Sequence, residues 1–255
     1  MRRVRIIPVL TLDNEKLVKT IKFKKPNYIG DPINAVKIFN EKEVDEIVIL
    51  DITATKENRA PNYTKIEEIA SEAFMPFAYG GGITSLSQIE QLFKLGIEKV
   101  VLNSSIEKNF NLLTEASKIY GSQSIVASID FKKNLFGKYQ IMRNAGSKKI
   151  GNSIENYINK IEQHGAGEIF VNSIDKDGTF EDYDYDIINL ISSLTTLPVV
   201  ACGGANDTNC FVNAIKSGSS AVGAGSLFIY ASSKKGILIN YPSQETLQKE
   251  VFDYL

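Results

Sequence analysis

Two glycine-rich stretches could bind an anion through their backbone amides. Gly80–Gly82 follows the apolar run Pro76–Tyr79, and Gly203–Gly204 follows Pro198–Cys202 at an offset of 122 residues. Without a Cβ atom, glycine lets backbone N–H groups approach a bound anion closely. The alternative is that the glycines only permit tight turns. Their repetition in register favours a duplicated phosphate-binding unit.

The repeat extends to other polar residues that follow apolar runs. The same offset aligns Ser104, after Lys99–Asn103, with Ser226, after Ala221–Gly225. A shift of 119 residues lays the first apolar run, which ends at Thr11, on the run that ends at Asp130. The sequence therefore predicts two related halves, about 1–121 and 122–255, in one domain.

Among the carboxylates, Asp130 is the best candidate for general acid and base chemistry, because it follows a buried strand directly. Asp51 and Asp177 are interpreted as orienting groups or solvated loop caps. The single histidine, His164, lies near a predicted helix end and is expected at the surface, so no metal site is predicted, and no cofactor. The cysteines have no histidine partner, which makes core packing their expected role.

The elements that must position these residues alternate between short apolar runs and amphipathic segments. Eight such strand–helix units fit within 255 residues and predict a (β/α)8 TIM barrel, with an open doubly wound sheet as the weaker alternative. Two long connections, 11–30 and 131–152, interrupt the alternation. The first carries Lys19 and is expected to be functional or mobile. The second contains a possible hairpin around Gly137.

In such a barrel the chemistry lies at the carboxyl ends of the strands, here called the mouth. The residues placed there form two sets, one from each half. We expect the two sets to bind a substrate with a phosphate at each end. The first set is Gly81, Gly82, Asn103 and Ser104. The second set is Asp177, Gly178, Gly203, Gly204, Gly225 and Ser226.

Four charged residues begin strands at the opposite end of the barrel, here called the floor. They are Arg5, Glu46, Lys99 and Glu168. Two cations and two anions can form a salt-bridge ring that closes the floor, and they can also gate an axial passage. From the residue types alone, the salt-bridge ring is the simpler interpretation.

Composition excludes several other classes of protein. The net charge is −1, so no overall field favours nucleic acid or a membrane as partner. Two cysteines in 255 residues indicate a reducing compartment, and we expect a cytoplasmic protein. No transmembrane segment is predicted.

The motifs together resemble the cyclase subunit of imidazole glycerol phosphate synthase over essentially the whole chain. This resemblance implies a glutaminase partner of class I at the floor, with the four charged residues acting as an ammonia gate. The family reaction adds ammonia to an aminoimidazole carboxamide ribonucleotide bearing a ribulosyl phosphate. The matching segments are Arg5–Pro8, Gly30–Pro32, Leu50–Ala54, Gly80–Ile83, Lys99 with Asn103, Gly121–Gln123, Ile129–Asp130, Gly165–Ile169 and Ser173–Thr179.

The chain departs from the family pattern at a catalytic position. The family has aspartates at the ends of strands one and five. Asp130 matches the second, but Thr11 occupies the first, and Asp13 lies further out. A histidine that often follows Phe228 is absent, and the first loop, 22–31, resembles a divergent branch associated with acetamidino sugars of surface polysaccharides. In that branch the barrel is expected to supply ammonia to a sugar-amidinating enzyme.

Two hypotheses therefore follow from the sequence. One is an ammonia-conducting subunit with impaired cyclase chemistry that serves sugar amidination. The other is a working cyclase-lyase of histidine synthesis. An isomerase of the same barrel superfamily fits less well, because it needs no ammonia gate and also relies on the strand-one aspartate.

Overall fold

The computed structural model describes residues 4–231 and 236–255. Eight of its strands are parallel and close into a barrel, because β7 pairs with both β6 and β10. The described strands are β1 (Arg5–Asp13), β2 (Lys16–Ile21), β3 (Lys24–Gly30), β4 (Ile47–Asp51), β5 (Phe77–Gly80), β6 (Lys99–Leu102), β7 (Ile125–Lys133), β8 (Tyr139–Arg143), β9 (Lys148–Lys149), β10 (Glu168–Ser173), β11 (Val199–Cys202) and β12 (Ala221–Ala224).

The order around the barrel is β1, β4, β5, β6, β7, β10, β11 and β12, and β12 pairs with β1. This closed parallel sheet confirms the predicted (β/α)8 barrel. Its strands read as continuous apolar runs because both faces are covered. One face packs on the helices, while the other forms a separate apolar cluster along the axis. That axial cluster is Ile7, Val9, Val48, Ala78, Val101, Val126, Phe170, Val200 and Ala221.

The helices follow the strands and cover the barrel. Local sequence defines their starts: Asp31 accepts hydrogen bonds from the amides of Ile33 and Asn34, and Ser85 forms a capping box with Gln88. The helices are α1 (Pro32–Glu41), α2 (Tyr63–Ala70), α3 (Leu86–Lys94), α4 (Ser104–Lys108), α5 (Asn111–Tyr120), α6 (Ile154–Gln163), α7 (Tyr185–Leu194), α8 (Asn209–Lys216), α9 (Ser226–Ile229) and α10 (Gln244–Glu250).

The connection 11–30 is not the loop that its length predicts. It contains strands β2 and β3, which pair antiparallel and are called the first hairpin here. β1 continues past the barrel to Asp13, pairs with β2 antiparallel, and β2 pairs with β3. The predicted hairpin around Gly137 is confirmed, since β7 pairs with β8 antiparallel. A further short strand, β9, extends it. Both hairpins rise from the mouth, because they continue β1 and β7 beyond their barrel segments.

Two helices, α4 and α5, follow β6. The chain turns at Asn109, whose extended backbone separates α4 from α5. The short α4 begins directly after β6, so Ser104 stands at the mouth. Within the described residues, no helix has both the length and the apolar character needed to cross a membrane.

Candidate active site at the barrel mouth

A cavity of about 480 Å³ opens at the mouth. All the residues predicted for the acid–base and phosphate sites line it, together with Lys19 from the first hairpin. Ser173, the first residue of the matching segment 173–179, is buried and does not line the cavity; its neighbour Asn172 does. Predicted residues in the lining are Thr11, Lys19, Gly81, Gly82, Asn103, Ser104, Asp130, Asp177, Gly178, Gly203, Gly204, Gly225 and Ser226.

Asp130 lies near the end of the barrel segment of β7 and is almost fully buried. Its Oδ2 atom accepts a hydrogen bond of 3.1 Å from the Asn103 amide. Burial raises the pKa of Asp130 to about 7, although the Asn103 hydrogen bond opposes the shift. A carboxyl group with this pKa can gain and lose a proton near neutral pH, as general acid–base chemistry requires.

Thr11 occupies the corresponding place on β1 and also lines the cavity. Its hydroxyl donates to the carbonyl oxygen of Val18 across the β1–β2 pairing. The hydroxyl is thus held by the first hairpin and has no proton to exchange near neutral pH. Asp13, two residues on, ends β1 outside the cavity lining, and its carboxylate accepts from the Asn14 side chain. The mouth therefore has a carboxylate on β7 and none on β1.

Asp177 joins the first hairpin to the barrel. Its carboxylate accepts from Lys19 Nζ at 2.7 Å and from Thr20 Oγ1 at 2.8 Å, while its carbonyl oxygen accepts from the Lys22 amide at 2.9 Å. Burial alone would lower the pKa of Lys19, but the Asp177 carboxylate raises it above its ordinary value. Asp177 is buried, so it is an orienting group rather than a solvated cap.

Asp51 is likewise buried and not solvated. It ends β4, accepts from the amides of Thr53 and Ala54, and forms an ion pair of 3.0 Å with Arg59. These contacts fold the loop after β4 against the cavity, and Arg59 becomes part of the lining. Sequence reasoning missed Arg59, because no local pattern places it opposite Asp51.

The glycines at equivalent places in the two halves have similar surroundings. Gly82 and Gly204 have φ values of +71° and +110°. A Cβ atom would lie 2.5 Å from the carbonyl oxygen of Arg59 at the first and 2.1 Å from that of Asp182 at the second. Any side chain would push these loops apart, so both positions require glycine.

The two serines of the predicted phosphate sets differ in their hydrogen bonds. Ser104 accepts from the Asn144 amide at 2.8 Å and donates to the Asn103 side chain. Ser226 Oγ is buried and has no hydrogen-bond partner among the described residues. A buried hydroxyl without a partner is costly unless a ligand completes its bonding.

Three further residues in the lining were not predicted. Ser128 lies two residues before Asp130 on the same face of β7, Asn172 pairs with Asp130 in the strand register, and Cys202 ends β11. Ser128 could have been predicted from the alternation of side chains along a strand, because it lies two residues before Asp130. Asn172 could have been predicted as the last residue of its strand that faces inward. The Asn172 side-chain oxygen is buried without a partner among the described residues.

The cysteines and the histidine have no catalytic arrangement. Burial raises the pKa of Cys202 and of Cys210 to about 12, which keeps both thiols protonated. Cys210 packs in the core as predicted, whereas Cys202 lines the cavity. His164 follows α6, is half-buried, and bonds Thr114 at 2.8 Å. Among residues 4–231 and 236–255, no group of three or more His, Cys, Asp or Glu could hold a metal ion.

At the floor, the four charged residues form one closed cluster, called the floor ring here. Arg5 forms ion pairs with Glu46 and Glu168, and Lys99 bridges the same two carboxylates at 2.9 and 3.2 Å. Both glutamates are buried, whereas the two cations are partly exposed. Burial alone would lower the pKa of Arg5, but the two glutamates raise it. The ring closes the floor end of the apolar barrel axis.

The protein is a closed (β/α)8 barrel with a polar cavity at the mouth and a charged cluster at the floor. The chain belongs to the histidine biosynthesis protein family, whose model matches residues 5–234. It is 45% identical, over 95% of its length and 96% of the relative's, to a protein of Leptospira borgpetersenii named provisionally as imidazole glycerol phosphate synthase subunit HisF.

Two other relatives place the chain within this family. A protein of Pseudomonas aeruginosa, provisionally named as subunit hisF2, is 44% identical over 97% of this chain and 99% of its own length. Subunit HisF of imidazole glycerol phosphate synthase from Natranaerobius thermophilus is 37% identical over 96% and 97%. The chain is therefore a HisF-like cyclase-subunit homologue.

Proposed function

We propose that this chain is an ammonia-conducting subunit of a glutamine-dependent synthase, with weak cyclase chemistry of its own. It pairs with a class I glutaminase at the floor and binds a phosphorylated ligand at the mouth. The names of its relatives describe a subunit of a larger enzyme, which supports a partner. Free cysteines fit a reducing cytoplasm.

The floor ring and the axial apolar cluster support the ammonia passage. Neutral ammonia loses little on entering an apolar path, whereas ammonium would lose its hydration at high cost. Charged residues at the floor can exclude or deprotonate the ion before it enters. A change in the side chains of Arg5 or Lys99 would open the ring, since these two cations are partly exposed.

Thr11 is the observation that carries the proposal of weak cyclase chemistry. Acid–base catalysis on opposite sides of the mouth needs two exchangeable protons, and of the two residues at these places Asp130 can supply one but Thr11 cannot. The Thr11 hydroxyl is already bonded to Val18. The ammonia is then used elsewhere, and we propose amidination of a surface-polysaccharide sugar by a separate enzyme. Four relatives at 43–45% identity bear the synthase name only provisionally, which fits such a branch.

The second candidate is a working cyclase-lyase of histidine synthesis. The pKa of Asp130 near 7 favours it, because that value suits proton transfer at physiological pH. Relatives at 35–38% identity bear the synthase name without reservation. In this case another group, such as a lysine of the first hairpin, would replace the missing carboxylate.

Substitution of Thr11 separates the two candidates. With saturating ammonia, the wild-type chain should turn over the cyclase substrate about 10²–10⁴-fold more slowly than a cyclase with both carboxylates. Thr11→Asp should raise that rate, while Thr11→Val, of the same shape, should leave it low. Turnover at the ordinary cyclase level, unchanged by Thr11→Asp, would establish the cyclase-lyase and reject our first choice. If a class I glutaminase from the same organism neither binds this chain nor is activated by it, the proposed ammonia role is rejected.

A further inference from the structure

The positive charge of this chain is concentrated in the two hairpins at the mouth. Residues 16–28 and 131–149 contain eleven of the 29 Lys and Arg residues and none of the 30 Asp and Glu residues. The rest of the chain therefore carries eighteen cations against thirty carboxylates. A molecule with a net charge of −1 thus has a strongly basic end and an acidic body.

Most of these cations are available to a partner. Lys19, Lys133 and Arg143 form ion pairs with Asp177, Asp184 and Glu107. The other eight are exposed and form no ion pair within the described part of the chain. They are Lys16, Lys22, Lys24, Lys25, Lys132, Lys138, Lys148 and Lys149.

The tip of the second hairpin is apolar. Leu135 is fully exposed and Phe136 is 87% exposed, in a turn between β7 and β8 that Gly137 helps to close. Lys132 and Lys138 flank this tip. Single exposed apolar residues are common, but two adjacent large ones at a projecting tip are typical of an anchor that enters a partner's pocket.

Both hairpins stand at the rim of the cavity. Phe23 of the first and Ala145 of the second line it. The two hairpins also meet, since a Cβ atom at Gly146 would lie 3.3 Å from the Phe23 ring. A partner that binds the exposed lysines of the two hairpins and the apolar tip therefore covers the opening of the cavity.

We infer that this surface docks the enzyme that receives the ammonia, through an acidic face with an apolar pocket for Leu135 and Phe136. The inference rests on the proposed function, in which ammonia leaves by the mouth. Steering of a phosphorylated ligand would explain the lysines but leaves the apolar tip without a role. A flat anionic membrane would match both charge and tip, but it would close the opening without taking the ammonia onward.

The test uses the full chain with a class I glutaminase and a sugar-amidinating enzyme from the same organism, and binding kinetics are the readout. Leu135→Ser/Phe136→Ser should raise the dissociation rate of the amidinating enzyme at least tenfold, because it removes the anchor. Lys132→Glu/Lys138→Glu should lower the association rate and weaken its salt dependence. Phe74→Ser, which removes an equally exposed apolar side chain at the floor end, should bind like the wild type.

Product formation provides the second readout. The tip variant should lose glutamine-dependent amidination at least tenfold, while amidination supplied with ammonium chloride stays unchanged. If the wild type transfers ammonia and the tip variant binds and transfers equally well, the docking surface is wrong and the function stands. If the wild type supports no glutamine-dependent amidination, both proposals fail. If the chain binds vesicles of phosphatidylserine and phosphatidylcholine but does not bind the amidinating enzyme, the surface docks on a membrane and the inferred protein partner is wrong.

Discussion

Asp130 and Thr11 hold matching places in the two halves of the chain but differ in what they can do. Asp130 is buried beside Asn103, and burial raises its pKa to about 7. Thr11 is fixed to the Val18 carbonyl. The β7 side of the mouth thus has a carboxyl group that can exchange a proton near neutral pH, while the β1 side has a hydroxyl group that cannot.

The Asp130 carboxyl should make the stability of the protein depend on pH. Its folded-state pKa of about 7 lies above the ordinary value of 3.8, so the native state holds its proton more tightly than the unfolded chain does. This contribution is fully present below pH 4 and is lost as pH rises through about 7. Asp130→Asn should therefore stabilise the protein, increasingly from pH 5 to pH 8, by up to about 4 kcal/mol.

Urea unfolding at several pH values measures this effect. Asp13→Asn is the control, because it removes a carboxylate at the end of β1 that lies outside the cavity lining. A stability difference between wild type and Asp130→Asn that is the same at pH 5 and pH 8 would show that Asp130 titrates normally.

At the scale of elements, the barrel strands were predictable and the first hairpin was not. The apolar run Pro198–Cys202 contains strand β11 (Val199–Cys202), because a buried apolar run is a local signal. Residues 16–25 contain five lysines and no apolar run longer than two residues, so they resemble a loop. Lys19 pairs with Asp177, 158 positions away, and no local pattern reveals that contact.

The same reasoning explains which site residues the sequence could identify. Residues that follow a strand were correctly placed at the mouth, because the ends of parallel strands meet there. Arg59 lies in a loop and reaches the cavity only through its pairing with Asp51. Asn172 and Ser173 are neighbours, and the pleat of β10 decides which one faces the cavity.

The first hairpin should loosen when its contact with Asp177 is weakened. Asp177→Asn removes the charge that holds Lys19 and leaves the buried ammonium unpaired. Amide hydrogen exchange in residues 16–30 should become at least tenfold faster, with the floor unchanged. Asp175→Asn is the matched control, because Asp175 accepts from the Lys133 amide and should affect 131–143 instead. Unchanged exchange in 16–30 would mean that strand pairing alone holds the hairpin.

The floor ring should contribute to stability as a unit. Lys99→Met leaves two buried glutamates with only Arg5, and removing one partner of a buried ionic network costs about 3–5 kcal/mol. Because Lys99 is about a fifth exposed, we expect the lower end, about 3 kcal/mol, in urea unfolding. Lys94→Met, which breaks an exposed pair with Glu90 on α3, should cost much less, because exposed ion pairs contribute little to stability. Equal losses in the two variants would mean that the ring is no stronger than a surface pair.

At the scale of the whole molecule, the chain has a polar mouth, to which both predicted halves contribute residues, and a charged floor. The predicted phosphate sets, around Ser104 and around Ser226, come from different halves and line one cavity. A ligand with a phosphate at each end would contact both sets at once. Binding at the second set would also supply the partner that Ser226 Oγ lacks among the described residues.

A series of straight-chain alkane bisphosphates tests this arrangement, with calorimetry as the measurement. If each half binds one phosphate, affinity should peak at the chain length that spans the cavity, about 10²–10⁴-fold above the matching monophosphate. Ser226→Ala should weaken the optimal bisphosphate, and it should also stabilise the protein without ligand, because a buried unbonded hydroxyl is removed. Ser192→Ala, in which the lost hydroxyl bonds the carbonyl of Asn189 on an outer helix, should do neither. Affinity that does not vary with chain length, and equals that of the monophosphate, would show that only one half binds phosphate.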